Sequence, residues 1–247
     1  LPPAGVLASL PRLFAHRCGG ALAPENTLAG LRIAAQLGCK AVEFDVMLSA
    51  DGSPWLIHDE TLERTTDGTG RVCETRDADL ARLDAGFRHH RAFRGEPLPT
   101  LAAAAVLCRE LGLMANVEIK PATGFDLATG EVVARQVLEL WRGAPLPLVS
   151  SFSETALQAA RGAVPGLPIG CLWERPPGDW RSRLDALGAL SLHCPAGAID
   201  DRLLAEAAAG GIPVLCYTVN DPLEAAVLIQ RGVAAVFSDR IDRVGLN

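Results

Sequence analysis

Short apolar runs, often β-branched, recur along the chain, and longer stretches with apolar positions three and four apart lie between most of them. The short runs predict strands near Leu13 to Ala15, Ala41 to Val46, Ala115 to Ile119, Leu146 to Ser150, Pro168 to Leu172, Ala189 to Leu192, Pro213 to Tyr217 and Ala234 to Phe237. The longer ones predict helices over Thr27 to Leu37, Thr129 to Trp141, Glu154 to Ala163, Asp201 to Ala209 and Pro222 to Gln230. About eight alternating units in 247 residues fit one α/β domain over residues 1–247, a parallel (β/α)8 TIM barrel. Gly38, Gly210 and Gly232 sit where a left-handed residue would end a helix. The rhythm breaks from about residue 59 to 99, where turn signals (DGTG from Asp67, RGEP from Arg94) replace periodicity. A structureless loop of that length is improbable in a compact domain, so a small inserted subdomain after the second barrel strand is expected. Trp55 is expected to pack beneath it.

The second strand region carries charge where a solvated face is not the only explanation. In VEFDVML, from Val42, the apolar residues alternate with Glu43 and Asp45, which therefore share a face. Only a few residues separate this run from Pro54, too few for a parallel crossover, so Trp55 to Ile57 should return as the second arm of a hairpin. Centring its turn on Asp51-Gly52 makes paired positions sum to 103 and sets His58 opposite Asp45. ANVEIK, from Ala115, repeats the alternation with Glu118 and Lys120. With charged residues at the C-terminal ends of neighbouring strands, three carboxylates would meet at the barrel mouth, where such barrels hold their sites. Unpaired, they would repel, so either their pKa values rise or a cation joins them. An all-oxygen set without thiolates or several histidines favours a hard divalent ion, Mg2+ or Ca2+. The first strand ends in FAHRCGG, from Phe14, where His16 can transfer a proton and Arg17 can grip phosphate oxygens.

Composition narrows the classes. A net charge of −6 spread along the chain opposes loose binding to nucleic acid or anionic lipid. No apolar run is long enough to span a bilayer, and with no exposed aromatic loop evident, no stable membrane association is expected. The opening LPPAGVLASLPR lacks a basic start before a continuous apolar core and does not read as a secretory signal. Seven scattered cysteines, none spaced C-x-x-C, point to reduced thiols and a cytoplasmic location.

The succession HRCGG (from His16), PENT (from Pro24), VEFDV (from Val42), LIHD (from Leu56), LERT (from Leu62), NVEIK (from Asn116), SSF (from Ser150) and YTVN (from Tyr217) resembles the glycerophosphodiester phosphodiesterase family over essentially the whole chain. It is most similar to the small bacterial cytoplasmic members associated with glycerol-phosphate uptake. The resemblance implies metal-dependent hydrolysis of a small-molecule glycerophosphodiester to sn-glycerol 3-phosphate and an alcohol. It implies His16 and His58 as general base and acid, Glu43, Asp45 and Glu118 as metal ligands, and Arg17 and Lys120 on the phosphate. Phe152 and Tyr217 would wall the glycerol carbons. His193, at the end of a predicted strand, either lines the mouth or packs in the core, and Ser150 and Ser151 either bind phosphate or end a strand. Cys18 departs from the glycine usual after His-Arg and is expected to crowd the approach to phosphate if its φ is positive. Asp239 is expected to tie down the closing loop, and His89 and His90 to be solvated. The alternatives are a lysophospholipase D or phospholipase-type lyase on the same barrel, or a non-catalytic phosphate-binding barrel.

Overall fold

The computed structural model describes residues 10–245, so most of the opening stretch read above for a secretory signal lies outside the described residues. In chain order the elements are β1 (Leu13–Ala15), α1 (Leu28–Gln36), β2 (Ala41–Leu48), β3 (Pro54–Leu56), α2 (Asp77–Leu80), α3 (Leu101–Leu111), β4 (Met114–Ile119), α4 (Asp126–Leu140), β5 (Leu148–Ser151), α5 (Glu154–Ala163), β6 (Ile169–Leu172), α6 (Trp180–Leu187), β7 (Ser191–Pro195), α7 (Asp201–Ala209), β8 (Val214–Tyr217), α8 (Pro222–Gln230) and β9 (Ala235–Ser238). All strands but β3 run parallel and close into a ring, because β1 pairs with both β2 and β9. This is the expected (β/α)8 barrel, with β3 antiparallel to β2 outside the ring.

Alternation sorts the barrel residues. Outward positions such as Val42, Phe44, Val46, Val117 and Ile119 pack against the helices in the main core. Inward positions are apolar toward the N-terminal ends of the strands, where Phe14, Ala41, Leu148, Leu215, Ala235 and Phe237 form a second cluster. Further up they turn polar: Glu43 pairs with Asn116 and Asp45 with Glu118 in the β2–β4 register. The apolar base carries the burial energy and leaves the upper layer available for charge.

Helix ends follow local chemistry. Thr27 accepts from the Gly30 amide at the start of α1, and Asp221 caps α8 ahead of Pro222. Gly38 and Gly232 have φ of 84° and 108°, as expected for helix stops. Gly210 does not: its φ is −93°, and the left-handed residue is Gly211, at 66°.

The hairpin register also differs from expectation. Paired positions sum to 102, with Val46 opposite Leu56 and Met47 opposite Trp55. The loop is Ala50-Asp51-Gly52 rather than a two-residue turn. Gly52 takes φ 80° and the Ser49 hydroxyl accepts from the amides of Asp51 and Ser53. Ile57, not His58, therefore lies across from Asp45, its amide donating to the Asp45 carbonyl at 3.1 Å. His58 reaches the mouth by another route, because the strand stops at Leu56 and the chain bends.

From Asp59 to Pro99 the chain makes three short helical turns and two isolated bridges, Thr61 to Arg71 and Asp84 to Pro97. It has its own apolar cluster, in which Leu62, Val72, Leu80 and Leu98 pack on Met47, Trp55 and Ile57. Trp55 lies beneath it and donates to Asp77 at 2.8 Å.

Candidate active site

The chain leaves β1 in a tight turn in which Arg17 and Cys18 take positive φ, 49° and 77°. The turn is pinned to β2: the Arg17 amide donates to Glu43 Oε2 at 2.8 Å and the Cys18 amide to the Glu43 carbonyl at 2.7 Å. Asn26, of the PENT run, brackets Asp45 by donating to its carboxylate at 2.9 Å and accepting from its amide at 3.0 Å. Glu43, Asp45 and Glu118 are all buried and each offers an oxygen within 4.8 Å of the others. One oxygen each of Glu43 and Glu118 is buried without a hydrogen-bond partner. Burial, followed by the negative charge of Asp45, raises Glu43 well above the usual carboxylate range and pushes Glu118 up to about 8. Orphaned buried oxygens in an all-carboxylate set are what a divalent cation would satisfy, so the trio fits one.

Cationic groups flank the trio. Arg17 Nε stands 3.7 Å from Asp45, while Lys120 Nζ stands 4.0 Å from Asp45 and 3.4 Å from Glu118. His16 Nε2 is 3.9 Å from Glu43, and His58 Nε2 is 2.9 Å from Lys120 Nζ.

Each imidazole is held at its other nitrogen by a carboxylate. His16 Nδ1 bonds Asp239 at 2.7 Å, and His58 Nδ1 bonds Asp59 at 2.7 Å. Asp59 is gripped by Arg64, which also bonds Glu25 at 2.8 and 2.7 Å, and Glu25 in turn accepts from Arg17 at 3.1 Å. That hydrogen bond from Arg64 draws Asp59 down to about 2. His58 is lowered by burial, with Asp45 and Asp59 opposing. Asp239 pays for burial, yet the bond from His16 leaves it below the ordinary carboxylate value.

The remaining expectations divide. Phe152 and Tyr217 meet edge to face at 5.9 Å and line a cavity of about 520 Å³ together with the charged residues. His193 lines its floor, 1% exposed, beside Ser191 at 2.9 Å and Phe237; burial pushes it down to about 3, so it stays neutral. Ser150 accepts from Asn116 and Ser151 donates to the Ile119 carbonyl, so both tie strands together. Cys18 takes the positive φ on which its expected crowding depended, but it is not among the residues that line the cavity. Its side chain is fully buried in the main core, beside Gly30 of α1. Asp239, Glu25, Asn26 and Arg64 went unassigned to the site in the sequence because their contacts lie five to 223 residues away, and Asp59 because nothing in the sequence shows that it turns back onto the ring of its neighbour His58. A larger groove of about 1200 Å³ opens near the other ends of the strands, lined by Pro11, Met114, Leu146 and Pro168, and holds none of these charged residues.

The profile of the glycerophosphoryl diester phosphodiesterase family matches residues 16–243, from His16 to beyond Asp239. The chain belongs to this family. Among glycerophosphodiester phosphodiesterases, that of Caldanaerobacter subterraneus is 31% identical over 92% of this chain and 93% of its own. A phosphodiesterase of Oleispira antarctica, solved in complex with the product sn-glycerol 3-phosphate, is 38% identical, with a TM-score of 0.90 over 95% of both chains. The glycerophosphodiester phosphodiesterase of Agrobacterium tumefaciens is 28% identical, with a TM-score of 0.77 over 95% of this chain and 99% of that one.

Proposed function

We propose that the chain hydrolyses glycerophosphodiesters to sn-glycerol 3-phosphate and an alcohol, with one divalent cation, Mg2+ or Ca2+, held by Glu43, Asp45 and Glu118. The observation that carries this reading is the buried acidic trio, with one orphaned oxygen on Glu43 and one on Glu118, flanked by two carboxylate-anchored imidazoles. The cation supplies charge neutralisation and polarisation of phosphoryl oxygens. Arg17 and Lys120 grip the non-bridging oxygens and offset charge that builds in the transition state. Asp239 keeps a proton on His16 Nδ1, so the Nε2 lone pair faces the site and takes the proton of the attacking glycerol 2-hydroxyl. A bond forms from that oxygen to phosphorus as the bond to the alcohol oxygen breaks. His58 gives the departing oxygen a proton from Nε2, which can carry one once Lys120, 2.9 Å away, turns from that nitrogen onto the phosphate; Asp59 supports the imidazolium against the burial that lowers it. Water then opens the cyclic phosphate. Phe152 and Tyr217 wall the glycerol carbons, and His193 adds a neutral polar group to the floor. Seven free, buried cysteines fit a cytoplasmic setting.

Glycerophosphocholine is expected to release glycerol 3-phosphate, with chelator abolishing release and added Mg2+ or Ca2+ restoring it. Preference for lysolipid micelles would favour the lysophospholipase D reading instead, and metal binding without turnover of any diester would leave only a binding barrel. Arg64 touches no substrate in this scheme but holds Asp59 and Glu25, which position His58 and Arg17. Arg64→Met should lower kcat about 10- to 100-fold, the range for losing a hydrogen-bonded support of a site residue. Guanidinium added to the assay should restore part of the loss, which a merely misfolded variant would not permit.

A further inference from the structure

The inserted segment contains a second feature that the barrel chemistry does not use. Phe87-Arg88-His89-His90-Arg91-Ala92-Phe93-Arg94 holds three arginines and no acid, in a chain of net charge −6. Other arginines of the segment, Arg64, Arg71, Arg76 and Arg82, each face a carboxylate. Among the described residues Arg88, Arg91 and Arg94 form no ion pair. Arg88 donates only to the Thr66 carbonyl, and the guanidinium groups of Arg88 and Arg94 lie 5.6 and 5.8 Å from the centre of the Phe87 ring. That ring is 43% exposed, so an aromatic loop the sequence did not reveal stands in solvent, ringed by cations. The arm has a defined shape: His90 Nδ1 accepts from the Ala92 amide at 3.1 Å, His89 packs edge-on against Phe93, and Gly86 admits the Phe93 carbonyl where a Cβ would meet it at 1.7 Å.

Its position is fixed by the next acid. Glu96 accepts from the Ala29 amide, in the first turn of α1, at 2.9 Å. Helix N-termini in this barrel follow the C-terminal ends of the strands, so the arm sits at the end where the acidic trio opens. Phe125 and Leu127, at the start of α4 on the same end, are 42% and 64% exposed.

We propose that residues 87–94 form a docking surface for an anionic phospholipid bilayer, oriented so that the mouth faces the membrane. An exposed aromatic ring bordered by unpaired guanidinium groups suits the boundary between headgroups and acyl chains. Three arginines within reach of an anionic surface are worth on the order of 100-fold in partitioning, lost as salt screens them. A nucleic acid would meet the same cations, and the net charge of −6 opposes both polyanions alike, but the exposed Phe87, Phe125 and Leu127 favour lipid, which alone offers an apolar layer to receive them. The contact is reversible and peripheral, since no helix among the described residues is long and apolar enough to cross a membrane.

The test is co-sedimentation of the full chain with vesicles of phosphatidylglycerol and phosphatidylcholine, against vesicles of phosphatidylcholine alone. Binding is expected only to the anionic vesicles and should fade by 0.5 M salt. It should fall on the order of 100-fold in Arg88→Gln/Arg91→Gln/Arg94→Gln, and more modestly in Phe87→Ser, with turnover of soluble glycerophosphocholine unchanged in both. Absence of binding to anionic vesicles, equal binding to neutral ones, or full binding by the triple variant would overturn the proposal. So would a duplex oligonucleotide that displaces the protein from the vesicles at equal charge concentration, because the arm would then be a general polyanion site.

Discussion

Replacing His58 with alanine is expected to lower kcat on glycerophosphocholine by roughly 10²- to 10⁴-fold, and replacing His16 to do the same. Both rings are partly exposed, at 29% and 19%, and anchored through one nitrogen rather than by core packing, so the melting midpoint should move little. The two losses separate when the leaving group changes. An alcohol that departs easily, such as p-nitrophenol, needs no proton in the transition state. On such a diester His58→Ala should recover most of its activity, whereas His16→Ala should remain slow because the attacking hydroxyl still has to lose its proton. Steady-state rates for both variants on both substrates decide the matter. If His58→Ala is equally slow on the two, the acid assignment is wrong; if His16→Ala recovers and His58→Ala does not, the roles are reversed.

The second large effect joins pH, cation and fold. Glu43 and Glu118 hold protons more tightly in the folded chain than an unfolded carboxylate does, Glu118 up to about 8. Because the folded state then binds more protons at these two groups, their contribution to cation-free stability is fully present below the unfolded value near 4.3 and is lost as pH rises toward 8, while depressed carboxylates such as Asp59 act in the opposite sense only at lower pH. A divalent cation replaces those protons, so it should stabilise strongly at pH 8 and weakly at pH 5. A difference of a few kcal/mol corresponds to about 5–10 °C for a chain of this size. Glu118→Gln removes one of the repelling charges. It should raise the cation-free midpoint at pH 8 while abolishing both the cation-induced rise and turnover, so that one substitution stabilises the fold and destroys the activity. Thermal melts at both pH values, with and without Mg2+ or Ca2+, test this without any substrate. A midpoint indifferent to cation at pH 8 would remove the metal site from the account.

The barrel was readable because its strands announce themselves by apolar runs and its helices by periodicity. Besides the single turn of α2 in the insertion, two barrel helices escaped: α3 contains a run of alanines that blurs its apolar face, although Thr100 and Gly112 cap it, and α6 is so charged that only Trp180, Leu184 and Leu187 are buried. Strand alternation placed Glu43, Asp45, Glu118 and Lys120 on one side with no further information. His58 was reached by a faulty step. The loop of three residues, not two, shifts the hairpin register, and a bend after Leu56 brings the ring to the mouth in place of strict pairing. The carboxylates behind the imidazoles were the least legible. Nothing near Asp239 marks it as the partner of a histidine at the other end of the sequence; only ring closure between β1 and β9 joins them.

That junction has a consequence during synthesis. A chain emerging from the ribosome presents His16 early but acquires the group that orients it only when residue 239 has been made and the final strand has docked beside the first. A chain that stops upstream of the last strand would lack both the carboxylate bonded to His16 Nδ1 and the strand that closes the ring on β1.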